Sequence, residues 1–240
     1  MKKIKLFCLP YAGGSANIYS KWNESLEEHI ELCPIELAGR GSRIGERHYT
    51  SLNEVVNDIF NHISEDILSH DYAIFGHSLG AFLTYELIQK IISEGLPSPI
   101  HSFFSGRTPP GVKRRKKLFS TMNSLEFENA ILDLGGTPPD FFKYPELKRI
   151  FIPLLRSDFA LSETIVERKD ITLLNNSVSV LIGEEEGITL ENAVKWDEYT
   201  SKECTVHSIK GGHFFLLHEQ EAVIKIINES LIKKNLEVVA

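Results

Sequence analysis

Ser78 stands in the pentapeptide Gly76-His77-Ser78-Leu79-Gly80, which fits the G-x-S-x-G pattern of a nucleophile elbow. Glycines on both sides let a strand and a helix pass closely, which lifts the hydroxyl over the sheet edge. A serine hydroxyl attacks a carbonyl well only when a neighbouring imidazole takes its proton. Nine histidines are present, and His213 alone follows a final strand pattern inside a glycine-rich loop, Gly211-Gly212-His213, ahead of a closing helix pattern. That order marks His213 as the base. His218, next in line, is expected to cap or solvate the last helix. His77 sits beside Ser78 and cannot fold back onto it, so a packed core histidine is expected there.

An imidazole base needs a carboxylate to orient it, and the loop after the penultimate strand should supply one. That loop reads Gly183-Glu184-Glu185-Glu186-Gly187, three glutamates and no aspartate. Glu186 is the choice for the acid and Glu185 the second, with the remaining carboxylates solvated. The attack also needs backbone N–H donors for the developing oxyanion. Leu79, the residue after the nucleophile, offers one. The glycine-rich turn after the first strand, Pro10-Tyr11-Ala12-Gly13-Gly14-Ser15, should offer the other. Neither a G-x-G-x-x-G fingerprint nor a phosphate-loop lysine pattern is present, which argues against a nucleotide site.

These residues need a scaffold, and the hydropathy pattern describes one. Strand-like runs fall at residues 4–9, 30–37, 72–75, 100–105, 178–182 and 205–209, alternating with helical patterns. This predicts an α/β fold with a mostly parallel sheet flanked by helices. Leu52, Val55, Val56, Ile59, Phe60, Ile63 and Ile67 follow the spacing of one helix face. Ser51 and Glu54 propose a capping box at its start. Further helices are expected from Leu79 to about Gly95 and from about Glu219 to Lys234. The stretch 107–170 is too long for an ordinary connection. It reads as a helical lid inserted into a single domain spanning 1–240, with helices at 124–134 and 145–161. Its phenylalanines line a pocket or form a private core.

Bulk properties remove several function classes. A formal net charge of -7 argues against general nucleic-acid binding. No run of about 18 apolar residues predicts a membrane span, and no leader pattern opens the chain. Cys8, Cys33 and Cys204 form no C-x-x-C pair, so free thiols in a reducing cytoplasm are expected rather than a metal site. No metal or cofactor is called for, and a monomer is the default. The run Lys113-Arg114-Arg115-Lys116-Lys117 is read either as a solvated loop or as a docking edge for an acidic partner.

Five segments together resemble the type II, or editing, thioesterases of nonribosomal peptide and polyketide biosynthesis, which have the α/β-hydrolase fold. They are Leu9-Pro10-Tyr11-Ala12-Gly13-Gly14, Gly39-Arg40-Gly41-Ser42-Arg43, the serine pentapeptide, Pro153-Leu154-Leu155-Arg156-Ser157-Asp158-Phe159, and Gly211-Gly212-His213-Phe214-Phe215-Leu216. The resemblance spans nearly the whole chain. It implies hydrolysis of acyl groups from the phosphopantetheine arm of an acyl- or peptidyl-carrier protein. It also implies a triad of Ser78, His213 and an acid at Glu186, with the Ala12 and Leu79 amides as oxyanion hole. Where the family usually has Asp, this chain has Glu186. It also reads Ala38-Gly39-Arg40-Gly41 where the family usually has Pro-Gly-Arg-Gly. Asp158 is a distant alternative for the acid, and its expected role is to hold the lid, paired with Arg156. A stand-alone esterase or acyl-CoA thioesterase is the rival enzyme reading, and a non-catalytic protein that has kept the fold is the other.

Overall fold

Alternate residues of β1 (Ile4–Leu9) point to opposite sides of a sheet, and both sides are covered. Leu6 and Cys8 enter one core, and Phe7 and Leu9 enter the other. The structure is a computed structural model describing residues 3–112, 118–164 and 172–239. Five strands join β1: β2 (Ile30–Pro34), β3 (Asp71–His77), β4 (His101–Ser105), β5 (Ser177–Gly183) and β6 (Cys204–Ile209). All pairs are parallel, in the order β2-β1-β3-β4-β5-β6. Parallel neighbours require crossovers, and helices supply most of them.

On one face lie α1 (Leu52–Ser69) and α2 (Leu79–Ser93). Five of the seven apolar positions expected to face inward from α1 are fully buried: Val55, Val56, Ile59, Ile63 and Ile67. Each such side chain contributes roughly 1.5–3 kcal/mol, against about 1 for a cap, so packing dominates this helix. Only half of the expected capping box forms. Ser51 accepts from the Glu54 N–H at 3.2 Å, but the Glu54 carboxylate reaches Thr50 N–H (2.8 Å) and its hydroxyl (2.9 Å). Thr50 presents two donors where Ser51 would present one, and it wins. The opposite face is covered by the 3₁₀ stretch Ala16–Glu24 and by α7 (Gln220–Val239), which bury Tyr19, Trp22, Val223, Ile227 and Leu231.

β2 ends three residues before the expected Leu37. Ile35 still donates to the Cys8 carbonyl, and then Glu36 turns out of the sheet to bond Ala16 N–H. Ile35 and Leu37 stay buried beyond the strand, so the apolar pattern runs past the point where pairing stops. Between β5 and β6 lies a helical stretch the pattern did not announce, α5 (Leu190–Ala193) followed by a 3₁₀ turn to Tyr199. Four residues are too few to display a helical period.

The segment between β4 and β5 holds α3 (Ser124–Asp133) and α4 (Pro145–Ser162), within a residue of the expected bounds. The capping box sought on α1 occurs here instead, between Asn123 and Glu126. Phe127, Ile131, Phe142 and Leu155 form a separate core, with Phe119, Phe141, Phe151 and Phe159 packed on it. The aromatics of this segment therefore pack mainly on one another. The basic run 113–117 lies outside the described residues. Among the described residues, no helix is long and apolar enough to cross a membrane.

Candidate active site

The elbow after β3 holds Ser78 at φ 56° and ψ -108°, the one non-glycine at positive φ among the described residues. Such a conformation costs on the order of 1–3 kcal/mol and persists only where its surroundings enforce it. They do so here. Ser78 N–H donates to the Ser105 carbonyl of β4 at 2.8 Å. The flanking glycines are required by space, because a Cβ on Gly76 would overlap the Gly80 carbonyl. A Cβ on Gly80 would overlap the Leu9 carbonyl and lie 2.8 Å from that of Pro10. The start of α2 is thereby pressed against the end of β1 and the turn that follows it.

His213 lies in the loop between β6 and α6 (Phe215–His218), 135 residues from Ser78. Its Nε2 is 3.0 Å from Ser78 Oγ, and its Nδ1 is 2.8 Å from Glu186 Oε2. The other oxygen of Glu186 accepts the Gly183 N–H at 2.7 Å. Both carboxylate oxygens are thus engaged, and the side chain is fully shielded from solvent. Glu184 and Glu185 point to solvent, and their amides bond the Ile209 and Gly211 carbonyls. Of the three glutamates, Glu186 is the one brought to the imidazole. His218 ends α6 and is exposed.

His77 is fully buried, with Nδ1 2.8 Å from the Ser105 hydroxyl and its ring 5.1 Å from that of His213. Burial first, and the neighbouring His213 second, hold its pKa well below 6.5. The unfolded chain would bind a proton at this position near pH 6.5 and the folded chain would not. Stability is therefore complete above pH 6.5 and falls with acidification, by ~1.4 kcal/mol per pH unit, until the depressed folded pKa is reached. His207, half buried, is lowered in the same direction and adds to the trend. Denaturant titrations at pH 7, 6 and 5 should show this slope. His77→Gln should flatten it, and an unchanged slope would rule out His77 as its source.

The turn after β1 is tied down on several sides. Gly13 N–H donates to Asp158 Oδ2 at 2.7 Å, Gly14 N–H to the Tyr11 carbonyl at 2.9 Å, and Ala16 N–H to Glu36 at 3.0 Å. Among the described residues, no acceptor is bonded to the Ala12 N–H. Asp158 is far from acting as the acid. It forms a two-pronged ion pair with Arg40, at 2.6 and 2.8 Å, both side chains buried. The expected pairing with Arg156 does not occur. Arg156 donates to the Ser120 carbonyl and lies over the Phe127 ring. Residues two apart on a helix do not share a face, a signal present in the sequence.

A strand-to-helix serine elbow, an imidazole from the loop before the last helix and a parallel sheet beneath them define the α/β-hydrolase class. The chain belongs to the thioesterase domain family, whose model matches residues 4–231. Its similarity to Linear gramicidin dehydrogenase LgrE of Brevibacillus parabrevis is 32% identity over 235 residues, 95% of this chain and 88% of that one. That name denotes a redox enzyme, yet this chain has no dinucleotide fingerprint, and the family match sets its reaction class as thioester hydrolysis. ClbQ from the colibactin nonribosomal peptide/polyketide pathway superposes with a TM-score of 0.92 at 32% identity, covering 100% of both chains. The type II thioesterase BorB of the borrelidin cluster superposes with a TM-score of 0.82 at 28% identity, over 95% of this chain and 91% of that one.

Proposed function

We propose that this protein is an editing thioesterase that frees acyl groups from the phosphopantetheine arm of carrier proteins, with Ser78, His213 and Glu186 as its catalytic triad. The observation that carries the chemistry is His213 bridging Ser78 and Glu186 at 3.0 and 2.8 Å. Similarity to thioesterases of assembly-line biosynthesis supports the substrate class.

Ser78 Oγ attacks the thioester carbonyl while its proton passes to His213 Nε2. The Ala12 and Leu79 amides receive the oxyanion, and Glu186 holds Nδ1–H so that Nε2 is the basic nitrogen. Collapse of the tetrahedral adduct breaks the C–S bond, and His213 returns the proton to the departing thiolate. A water molecule, deprotonated by His213 Nε2, then attacks the acyl-serine. Its hydroxyl adds to the carbonyl, the C–Oγ bond breaks, and Ser78 recovers its proton. The segment carrying α3 and α4 serves as a lid over this centre.

The test is hydrolysis of acetyl- and longer acyl-carrier protein, beside the matching acyl-CoA. Release from the carrier with kcat/KM well above that for CoA supports the reading. Equal or better activity on CoA or nitrophenyl esters would remove the carrier partner and leave a stand-alone thioesterase or esterase.

A further inference from the structure

The ion pair between Arg40 and Asp158 does more than join α4 to the sheet. Two further hydrogen bonds of the pair go to the turn that carries Ala12. Asp158 Oδ2 accepts the Gly13 N–H at 2.7 Å as well as Arg40 Nη1 at 2.6 Å. Arg40 Nη1 also reaches the Gly14 carbonyl at 3.3 Å. The Ala12–Gly13 and Gly14–Ser15 peptide groups are therefore both gripped by one buried pair, and the group between them bonds the Tyr11 carbonyl. Gly13 sits at φ +79°, and a Cβ there would come within 2.5 Å of Leu155 Cδ2. Leu155 and Asp158 lie three residues apart, on one face of α4. That face is seated on the turn through one apolar and one charged contact.

An oxyanion donor is effective only when it is fixed before charge develops, because reorienting a dipole during the reaction forfeits the gain. The Ala12 N–H belongs to the peptide plane between Tyr11 and Ala12, and its neighbours are set by the Gly13 and Gly14 contacts. We propose that Arg40 and Asp158 are positioning residues for the oxyanion hole, so that seating of α4 is what completes the catalytic centre. The proposal rests on the triad assigned above. The pair touches neither Ser78 nor His213. Its loss should therefore slow both the acylation and deacylation steps, each of which passes through an oxyanion, without altering the nucleophile and its base.

A stability argument alone does not explain this arrangement. A buried ion pair is seldom worth more than apolar groups of similar size, because two charges must be desolvated to form it. The difference allows a separation of roles. Asp158→Asn keeps the shape but weakens the grip on Gly13. The double variant Arg40→Met with Asp158→Leu removes both charges together and leaves no buried charge unpaired. It should unfold near the wild-type temperature, whereas a single substitution at either position is more damaging to the fold.

The experiment measures kcat, KM and the binding of two inhibitors for wild type, Asp158→Asn and the double variant. One inhibitor is an acyl trifluoromethyl ketone, which adds Ser78 Oγ to its carbonyl and places an oxyanion in the hole. The other is the matching thioether, which has no reactive carbonyl. In the variants kcat should fall about 30- to 300-fold, near the range for losing one oxyanion donor, with KM within threefold. Trifluoromethyl ketone affinity should fall in parallel while thioether affinity holds. Wild-type kcat in a folded double variant would overturn the proposal, as would equal losses for both inhibitors. Should Ser78→Ala prove fully active, the triad assignment fails instead, and that control separates the two conclusions.

Discussion

Replacing Ser78 with alanine is expected to lower kcat/KM on an acyl thioester by about 10⁴-fold or more, with little change in unfolding temperature. Alanine keeps the Cβ that Ser78 already carries at φ 56°, so the backbone strain of the elbow is the same in both proteins. The Ser78 N–H to Ser105 carbonyl bond is a backbone contact and survives. What disappears is the Oγ 3.0 Å from His213 Nε2, and with it the covalent intermediate. The residual rate then comes from binding and oxyanion stabilisation acting on water. A fluorophosphonate should label wild type at one site and leave Ser78→Ala unlabelled. Activity above a tenth of wild type would mean that another group attacks the thioester.

Much of this centre is written locally in the sequence, and the reason is geometric. An elbow demands small residues two before and two after the serine, so Gly76 and Gly80 announce it within five residues. His213 is announced by its glycines and its place between the last strand and the last helices. Glu186 was harder, since three consecutive glutamates share one composition. Only the turn, with Glu186 Oε1 folded back to the Gly183 N–H, separates them. The Arg40–Asp158 contact joins residues 118 apart on elements whose packing no local pattern encodes. Gly39 and Gly41 around Arg40 take φ +80° and +48°, and nothing in that turn names a partner for the guanidinium. The same limit explains β2 and α1. A buried run past Pro34 looks like strand, and a serine before a glutamate looks like a capping box. In each case a competing contact, from Glu36 to Ala16 and from Glu54 to Thr50, decided the outcome.

For Glu186→Gln, kcat is expected to fall by about 10²- to 10⁴-fold with KM little changed. The carboxylate accepts twice, from the Gly183 N–H through one oxygen and from His213 Nδ1 through the other. A glutamine has one acceptor oxygen and one NH₂ donor, so it can serve only one of those partners. With its oxygen on Gly183, the NH₂ faces His213 and favours the tautomer whose Nε2 already carries hydrogen. That nitrogen then has no lone pair for the Ser78 proton. With the amide reversed, the NH₂ confronts the Gly183 N–H inside a side-chain site closed to water, leaving a buried donor unpaired. Glu186→Asp fails differently. It keeps the charge but is one methylene shorter, so the 2.7 and 2.8 Å contacts cannot both persist unless the loop moves. Glu185→Gln should stay within about twofold of wild type, because its side chain is solvated and only its amide holds the loop. Measured together, the three variants discriminate geometry from charge. Loss in Gln and Asp at 186 with none at 185 requires a carboxylate of glutamate length at that one position. A comparable loss in Glu185→Gln would assign the orienting role to the loop's collective charge rather than to a single hydrogen-bonded acid.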